Sequence, residues 1–233
     1  MHGEKQWARL CGLIYLVVVA TGLFALMYVP GQIVVAGDAA ATLANIQAHQ
    51  ALYRAGTAAL LLNQIAFLLL PLALYRLLAP VDVPIAKLMV LFALLGIPLT
   101  LVSAGERMVI LDLINADPQP PADRLSELVA LSRLRASNAM LFAWTFWGLW
   151  LLPLGYLVFR SGFLPRVLGA LLMLGCAGYL ANLFGHLLIP GHSASPLASF
   201  IRLPATIGEI GICLWLLIVG RSAVTADPHP RPE

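Results

Sequence analysis

Six apolar runs, each close to the length that crosses a bilayer, decide what this chain can become. The first, at 10–29, reads LCGLIYLVVVATGLFALMYV and carries no charge. A hydrocarbon core about 30 Å thick takes roughly 20 apolar residues in a helix that rises about 1.5 Å per residue. Inside that core no water is present to bond the backbone, so a helix, which satisfies its own N–H and C=O groups, is the required form. Further runs follow at 54–78, 85–115, from about 137, at 167–189 and at 203–219. Only 11% of the residues are charged and 61% are hydrophobic, where a soluble domain is about 25% charged. The expected fold class is therefore all-α: a polytopic integral membrane protein, a bundle of six transmembrane helices.

The connections refine that picture. Lys5 and Arg9 precede the first run, which is longer than the apolar part of a signal peptide and is expected to stay as an uncleaved helix. Val29-Pro30-Gly31 should end it. Asp38 is then a fitting N-cap for a short interfacial helix over the alanine-rich residues behind it, delivering Tyr53 and Arg54 to the second span. Pro71 and Pro98 should bend the second and third spans. No breaker separates Thr100 from Asn115, and none follows Asp123, the expected N-cap of the next helix, until Gly148. Spans three and four are thus expected to extend outside the membrane as a hairpin. The polar, proline-rich residues 222–233 read as a disordered cytoplasmic tail, which leaves 1–221 as a single membrane domain.

Six spans put both termini on one side. Lys5, Arg9, Arg76, Lys87, Arg160, Arg166, Arg221 and Arg231 would share it, in short turns or at span ends. Basic residues of that kind concentrate on the cytoplasmic side, so both termini are expected there.

Polar residues inside the spans are the candidates for function. The stretch GCAGYLANLFGHLLIPGHSASPLASFIRLPATIGE, residues 175–209, holds the densest set. Asn182 and His186 lie four apart and share a helix face within about 40°. Gly175, Gly178 and Gly185 fall near the same face, which marks a close-packing seam. Glu209 sits about a turn and a half inside the last run, and a carboxyl there asks for a partner or a proton. Gly96, Thr100, Ser103 and Arg107 recur at intervals of four, three and four in the third run, with Glu106 beside them. Asn63 and Gln64 fall near the middle of the second, and Arg54 flanks it. Glu209 and His186 are therefore the expected acid–base residues, and Glu106, Arg107, Asn182, Asn63, Gln64 and Arg54 the expected ligand-binding set. Trp144, Trp147 and Trp150 read as packing or interfacial anchors rather than as a cage.

RLCGLIYL at 9–16, VPGQIVVAGDAAATLANI at 29–46, LYRAG at 52–56, LYRLL at 74–78, GYLANLFGHLLIPG at 178–191 and PATIGEIGICLWLLIVG at 204–220 carry a resemblance. Together they resemble the bacterial membrane family catalogued as domain of unknown function 4386, over nearly the whole chain. The resemblance implies a six-helix inner-membrane protein and supplies no activity. It adds weight to Asp38, Asn45 and Glu209 without assigning them roles.

The motifs of common chemistries are missing. The chain has no G-x-G-x-x-G, P-loop lysine, H-E-x-x-H or G-x-S-x-G. Cys11, Cys176 and Cys213 lie singly in apolar runs and read as packing residues rather than a zinc or disulfide framework. His186 is the single histidine well inside a run, which argues against a haem held by paired histidines. A metal shared by His186, Glu209 and Glu106 is a weaker alternative. No cofactor is expected, and a net charge of +3 without a basic cluster argues against nucleic acid. The expected partners are membrane lipid and a small, partly apolar ligand. Its site would be a polar pocket in the outer half of the bundle, lined by Glu209, His186 and Arg107, binding or acting by acid–base chemistry on a lipid-like molecule. The alternatives are a small-molecule transporter, and an accessory membrane protein whose polar groups only join helices.

Overall fold

A computed structural model describes residues 2–192 and 195–220 of the chain, so the tail expected at 222–233 lies outside the described residues. Every element among the described residues is helical: α1 (His2–Leu23), a π-helical turn (Phe24–Tyr28), α2 (Val29–Ile33), α3 (Ala39–Ala48), α4 (Gln50–Leu78), α5 (Val83–Ile114), α6 (Ala122–Arg160), α7 (Arg166–Leu188), α8 (Pro196–Phe200) and α9 (Leu203–Ile218). Five helices are long and apolar enough to cross a membrane, and α9 is a shorter apolar helix of 16 residues. The chain is an all-α, multi-pass membrane protein.

The long helices close into a ring in which each runs antiparallel to both neighbours. Trp7 of α1 donates from its ring Nε1 to the Ala73 carbonyl of α4 at 3.1 Å, while Gly56 of α4 packs on Val29. The tight turn at 79–82 sends α5 back beside α4, with Asp82 capping it by accepting from the Ile85 N–H. Gly96 of α5 rests against Trp147 of α6, and Gly155 of α6 against Gly169 of α7. Gly175 and Gly178 of α7 meet Ala205 and Ile201. Finally, α9 returns along the first half of α1, where Gly12 touches Leu217 and the Cys213 thiol approaches the Gly12 carbonyl at 3.7 Å. Lipid tails are as apolar as leucine, so contacts of this kind depend on close approach rather than on the hydrophobic effect. Small residues at the seams permit it.

Three local readings need correction. Val29-Pro30-Gly31 does not end the first helix. The chain passes through the π turn instead, and Pro30 sits in the first turn of α2. Asp123 is not the cap of α6; Pro121 holds that place, and Asp123 lies in the first turn, favourable there for its charge. The second span begins at Gln50 rather than at Arg54.

Other expectations match the coordinates. Asp38 caps α3 through the Ala41 N–H at 2.8 Å. Thr42 accepts from the Val35 N–H at 3.0 Å, and Asn45 donates to the Ile33 carbonyl at 3.1 Å. These bonds fold 34–48 back over the bundle, where Leu43 and Ile46 of α3 join Ile110, Ile114, Leu125 and Val129 in an apolar core of their own. Helices α5 and α6 are unbroken over 32 and 39 residues, through Pro98 and Pro153.

The seam between α6 and α7 gives a direct test. A Cβ on Gly155 would stand 2.6 Å from the Gly169 carbonyl oxygen, whereas one on Gly105 meets nothing within 4 Å. Gly155→Leu should lower stability by at least about 1–3 kcal/mol, read by thermal unfolding in mild detergent. Gly105→Ala should be neutral or gain up to about 1 kcal/mol. Equal effects of the two would contradict the packing.

Candidate functional site

The ring encloses a cavity of about 550 Å³, lined by α1, α4, α6, α7 and the start of α9. Trp144, Trp147 and Trp150 form one wall, with Phe67 and Tyr179. The spacing by three that made these tryptophans look like anchors places them on successive turns of one face, so they stack along the cavity. Phe67 makes an edge contact with Trp150, centroids 5.2 Å apart, and a tilted one with Trp147 at 5.8 Å. Such pairs hold the wall in one arrangement.

Two polar groups meet in the interior. Tyr15 is 1% exposed and donates its hydroxyl to Glu209 Oε1 at 3.2 Å. Both side chains line the cavity, and the bond joins α1 to α9 across the last closure of the ring. Higher on the same wall, Asn63 of α4 donates to the Val18 carbonyl at 2.7 Å and to Thr21 Oγ1 at 3.1 Å. Gln64 in turn donates to Asn63 Oδ1 at 2.9 Å, which fixes the amide's orientation.

Arg202 closes the upper end. Its guanidinium lies over the Trp144 ring, 4.9 Å from the centroid, and its Nε donates to the Ala198 carbonyl at 3.3 Å. Arg202, Thr206 and Glu209 all line the cavity at positions i, i+4 and i+7. Seven residues bring a helix to within about 20° of its starting face and about 10 Å along its axis. One stripe of the shortest bundle helix thus offers a cation, a hydroxyl and a carboxyl in order of depth. Leu23, Met27 and Leu203 line the same space while being 46%, 67% and 46% exposed. The cavity therefore opens sideways, between the upper half of α1 and the start of α9.

The residues singled out from sequence are dispersed. Glu209 and Asn63 line the cavity, and Gln64 lies behind Asn63. Asn182 turns to the 189–202 connection, where its Oδ1 meets His192 Nε2 at 2.9 Å and its Nδ2 donates to the Ala198 carbonyl at 2.9 Å. The imidazole of His192 is 8% exposed and packs on Gly185. Asn182 thereby holds the carbonyl that also receives Arg202. His186 and Arg54 are exposed and do not line the cavity. Arg107 belongs to a second cleft, about 150 Å³, with Tyr53 and Arg133. Glu106 is half-buried and lines neither space; its Oε2 is buried without a hydrogen-bond partner among the described residues. The single pocket expected from Glu209, His186 and Arg107 is not the arrangement found. Tyr15, Tyr179 and Arg202 are the neighbours sequence reasoning did not select.

The comparisons agree with the resemblance read from the sequence. The model of the family described as domain of unknown function (DUF4386) matches residues 10–220, and the chain belongs to that family. An archaeal relative, described as an uncharacterized protein of Archaeoglobus fulgidus, is 35% identical over 85 residues, 36% of this chain. That match spans 48% of the relative's own length. No solved structure matches the chain.

The Asn182–His192 contact makes a separable prediction. Asn182→Ala and His192→Ala remove the same bond, so their effects on thermal stability should not add. Side-chain pairs that join helices of membrane proteins couple by about 0.6 kcal/mol, and up to about 1.7. Strict additivity in a double-mutant cycle would mean that the bond contributes nothing.

Proposed function

We propose that this chain spans the membrane six times, with both termini cytoplasmic, and takes a small lipid-like molecule into its central cavity from the outer half of the bilayer. The hydrogen bond between Tyr15 and Glu209 inside an aromatic-walled cavity is the observation that carries this reading. A carboxyl within a membrane bundle is expensive, and a bundle that needed only packing would place an apolar side chain there. The ligand's apolar body would lie along Trp144, Trp147 and Trp150, and its polar group would exchange hydrogen bonds with Glu209, Tyr15 and Asn63. If the molecule is altered rather than only held, Glu209 is the acid–base group, with Tyr15 as the donor that orients it. Entry between α1 and α9 spares such a molecule a passage through water.

Support for six spans comes from the alternation of the ring, in which α9 runs antiparallel to α1 along its first half. Gly220 reaches Lys5 at the foot of the bundle. At that same end Arg76 stacks on Trp7 at 4.2 Å, Arg160 on Tyr156 at 5.9 Å and Arg166 on Phe159 at 5.8 Å. Cations paired with aromatics suit an interface, and their excess marks a cytoplasmic face. Helices α5 and α6 exceed a bilayer's thickness, so their far ends would form an external hairpin with α3.

Two measurements bear on this reading. Alkaline phosphatase fused after Glu233 should be inactive and a fluorescent protein there should glow, while a phosphatase inserted at 117–121 should be active. The reverse pattern would overturn the topology. Native mass spectrometry from mild detergent should find a small molecule retained by the wild-type protein and lost from Glu209→Gln. Tyr15→Phe should weaken retention and cost about 1 kcal/mol of stability. If both variants lose stability and no ligand difference appears, Glu209 only joins helices.

A further inference from the structure

The second cleft lies among α2, α4, α5 and α6, shares no lining residue with the central cavity, and contains more hydrogen-bond donors than the protein itself uses. Its origin is the π turn. In an α-helix the Val29 N–H would bond to the Ala25 carbonyl; here it bonds to Phe24 instead. The shifted register would next assign the Ala25 carbonyl to residue 30, which is a proline and has no N–H. Arg107 fills that place: its Nη1 donates to the Ala25 carbonyl at 3.3 Å from α5. One of five guanidinium donors is thus taken, and the contact fixes the group's position.

Arg133 of α6 lines the same cleft, as do Tyr53 of α4 and Ser137 of α6. Neither arginine forms an ion pair among the described residues, and Arg133 has no hydrogen bond there. Both guanidiniums are half-buried, and no carboxylate lines the cleft. Two cations lining one cleft without an anion repel each other, more strongly as water is excluded. We propose that this cleft binds an oxyanion of the phosphate type, with Arg107 and Arg133 as the charged clamp and Tyr53 and Ser137 as neutral donors. Guanidinium forks match the geometry of phosphate oxygens and hold them by charge-assisted bonds. A cleft of about 150 Å³ holds such a group with a few waters, since a water takes about 30 Å³. Val29, Ile33, Val34 and Ile110 complete the walls, so a phosphate joined to an apolar body fits as well as a free one.

The test uses the whole chain, delipidated in a neutral detergent. Thermal unfolding is followed while inorganic phosphate or dihexanoyl phosphatidylglycerol is added, with chloride at matched ionic strength as the control. A saturable stabilisation by either probe, beyond chloride, is expected. Phosphate acting alone points to a free anion or phosphate ester, and the lipid acting where phosphate does not points to a headgroup. Arg133→Gln leaves the Ala25 bond intact and should weaken the effective probe by about ten- to a hundredfold. Ser137→Asp, at an exposed position on the rim, should abolish the effect by placing a negative charge in the cleft. Stabilisation that chloride reproduces, or that both variants retain in full, would overturn the proposal.

Discussion

Everything in this bundle depends on close approach between helices that share an apolar solvent. Burial against a neighbour offers a leucine little that a lipid chain does not, so association rests on packing and on the hydrogen bonds that packing makes possible. Glycine and alanine at the seams provide the approach: Gly155 on Gly169, Gly175 on Ala205, Gly208 and Gly211 on Leu172 and Leu168. The last seam, α9 on α1, closes the ring, and the Tyr15–Glu209 bond lies on it. Closure and the site are therefore one event. A displacement of α9 that opened the Gly12 contact would also separate the hydroxyl from the carboxyl.

Irregular backbone appears where it can be satisfied. The π turn in the first helix leaves the Ala25 carbonyl without its usual donor, and Pro30 cannot supply one. Arg107 reaches it from another helix. An arginine inside an apolar helix is costly, yet a carbonyl left bare in hydrocarbon is costly too, and each reduces the other's penalty. The remaining guanidinium donors then become a property of the cleft, not of the turn.

Much of the fold was legible because it follows from length and from breakers. Apolar runs near 20 residues specify helices, and Asp38 is a cap whose chemistry acts within three residues. Pro30 misled because a π turn shifts hydrogen bonds by one residue, which no pattern of side chains announces. The site was legible only in part. Glu209 stood out as a carboxyl in an apolar run, but its partner is 194 residues away, and sequence does not say which helices adjoin. Asn182 and His186 share a face by arithmetic, but the 189–202 connection folds onto the Asn182 side. His192, read as a loop residue, is the imidazole that becomes buried there. The tryptophans were visible, but the cavity they line was not.

The shortness of α9 explains why the cavity has a mouth. Its 16 residues span about 24 Å, less than the neighbouring helices, and it begins at Leu203, six residues before Glu209. Above that level the flank formed by Leu23 and, in the π turn, Met27 lines the cavity and stays exposed. Two more turns of helix would seal the ring and bury that flank. The chain instead spends residues 189–202 on the Asn182–His192 contact and on α8, which hold the Ala198 carbonyl that Arg202 bonds. A cation is thereby kept over Trp144 at the upper end of an otherwise apolar opening. The same feature that shortens the last helix thus leaves the cavity open at its flank and sets a cation beside that opening.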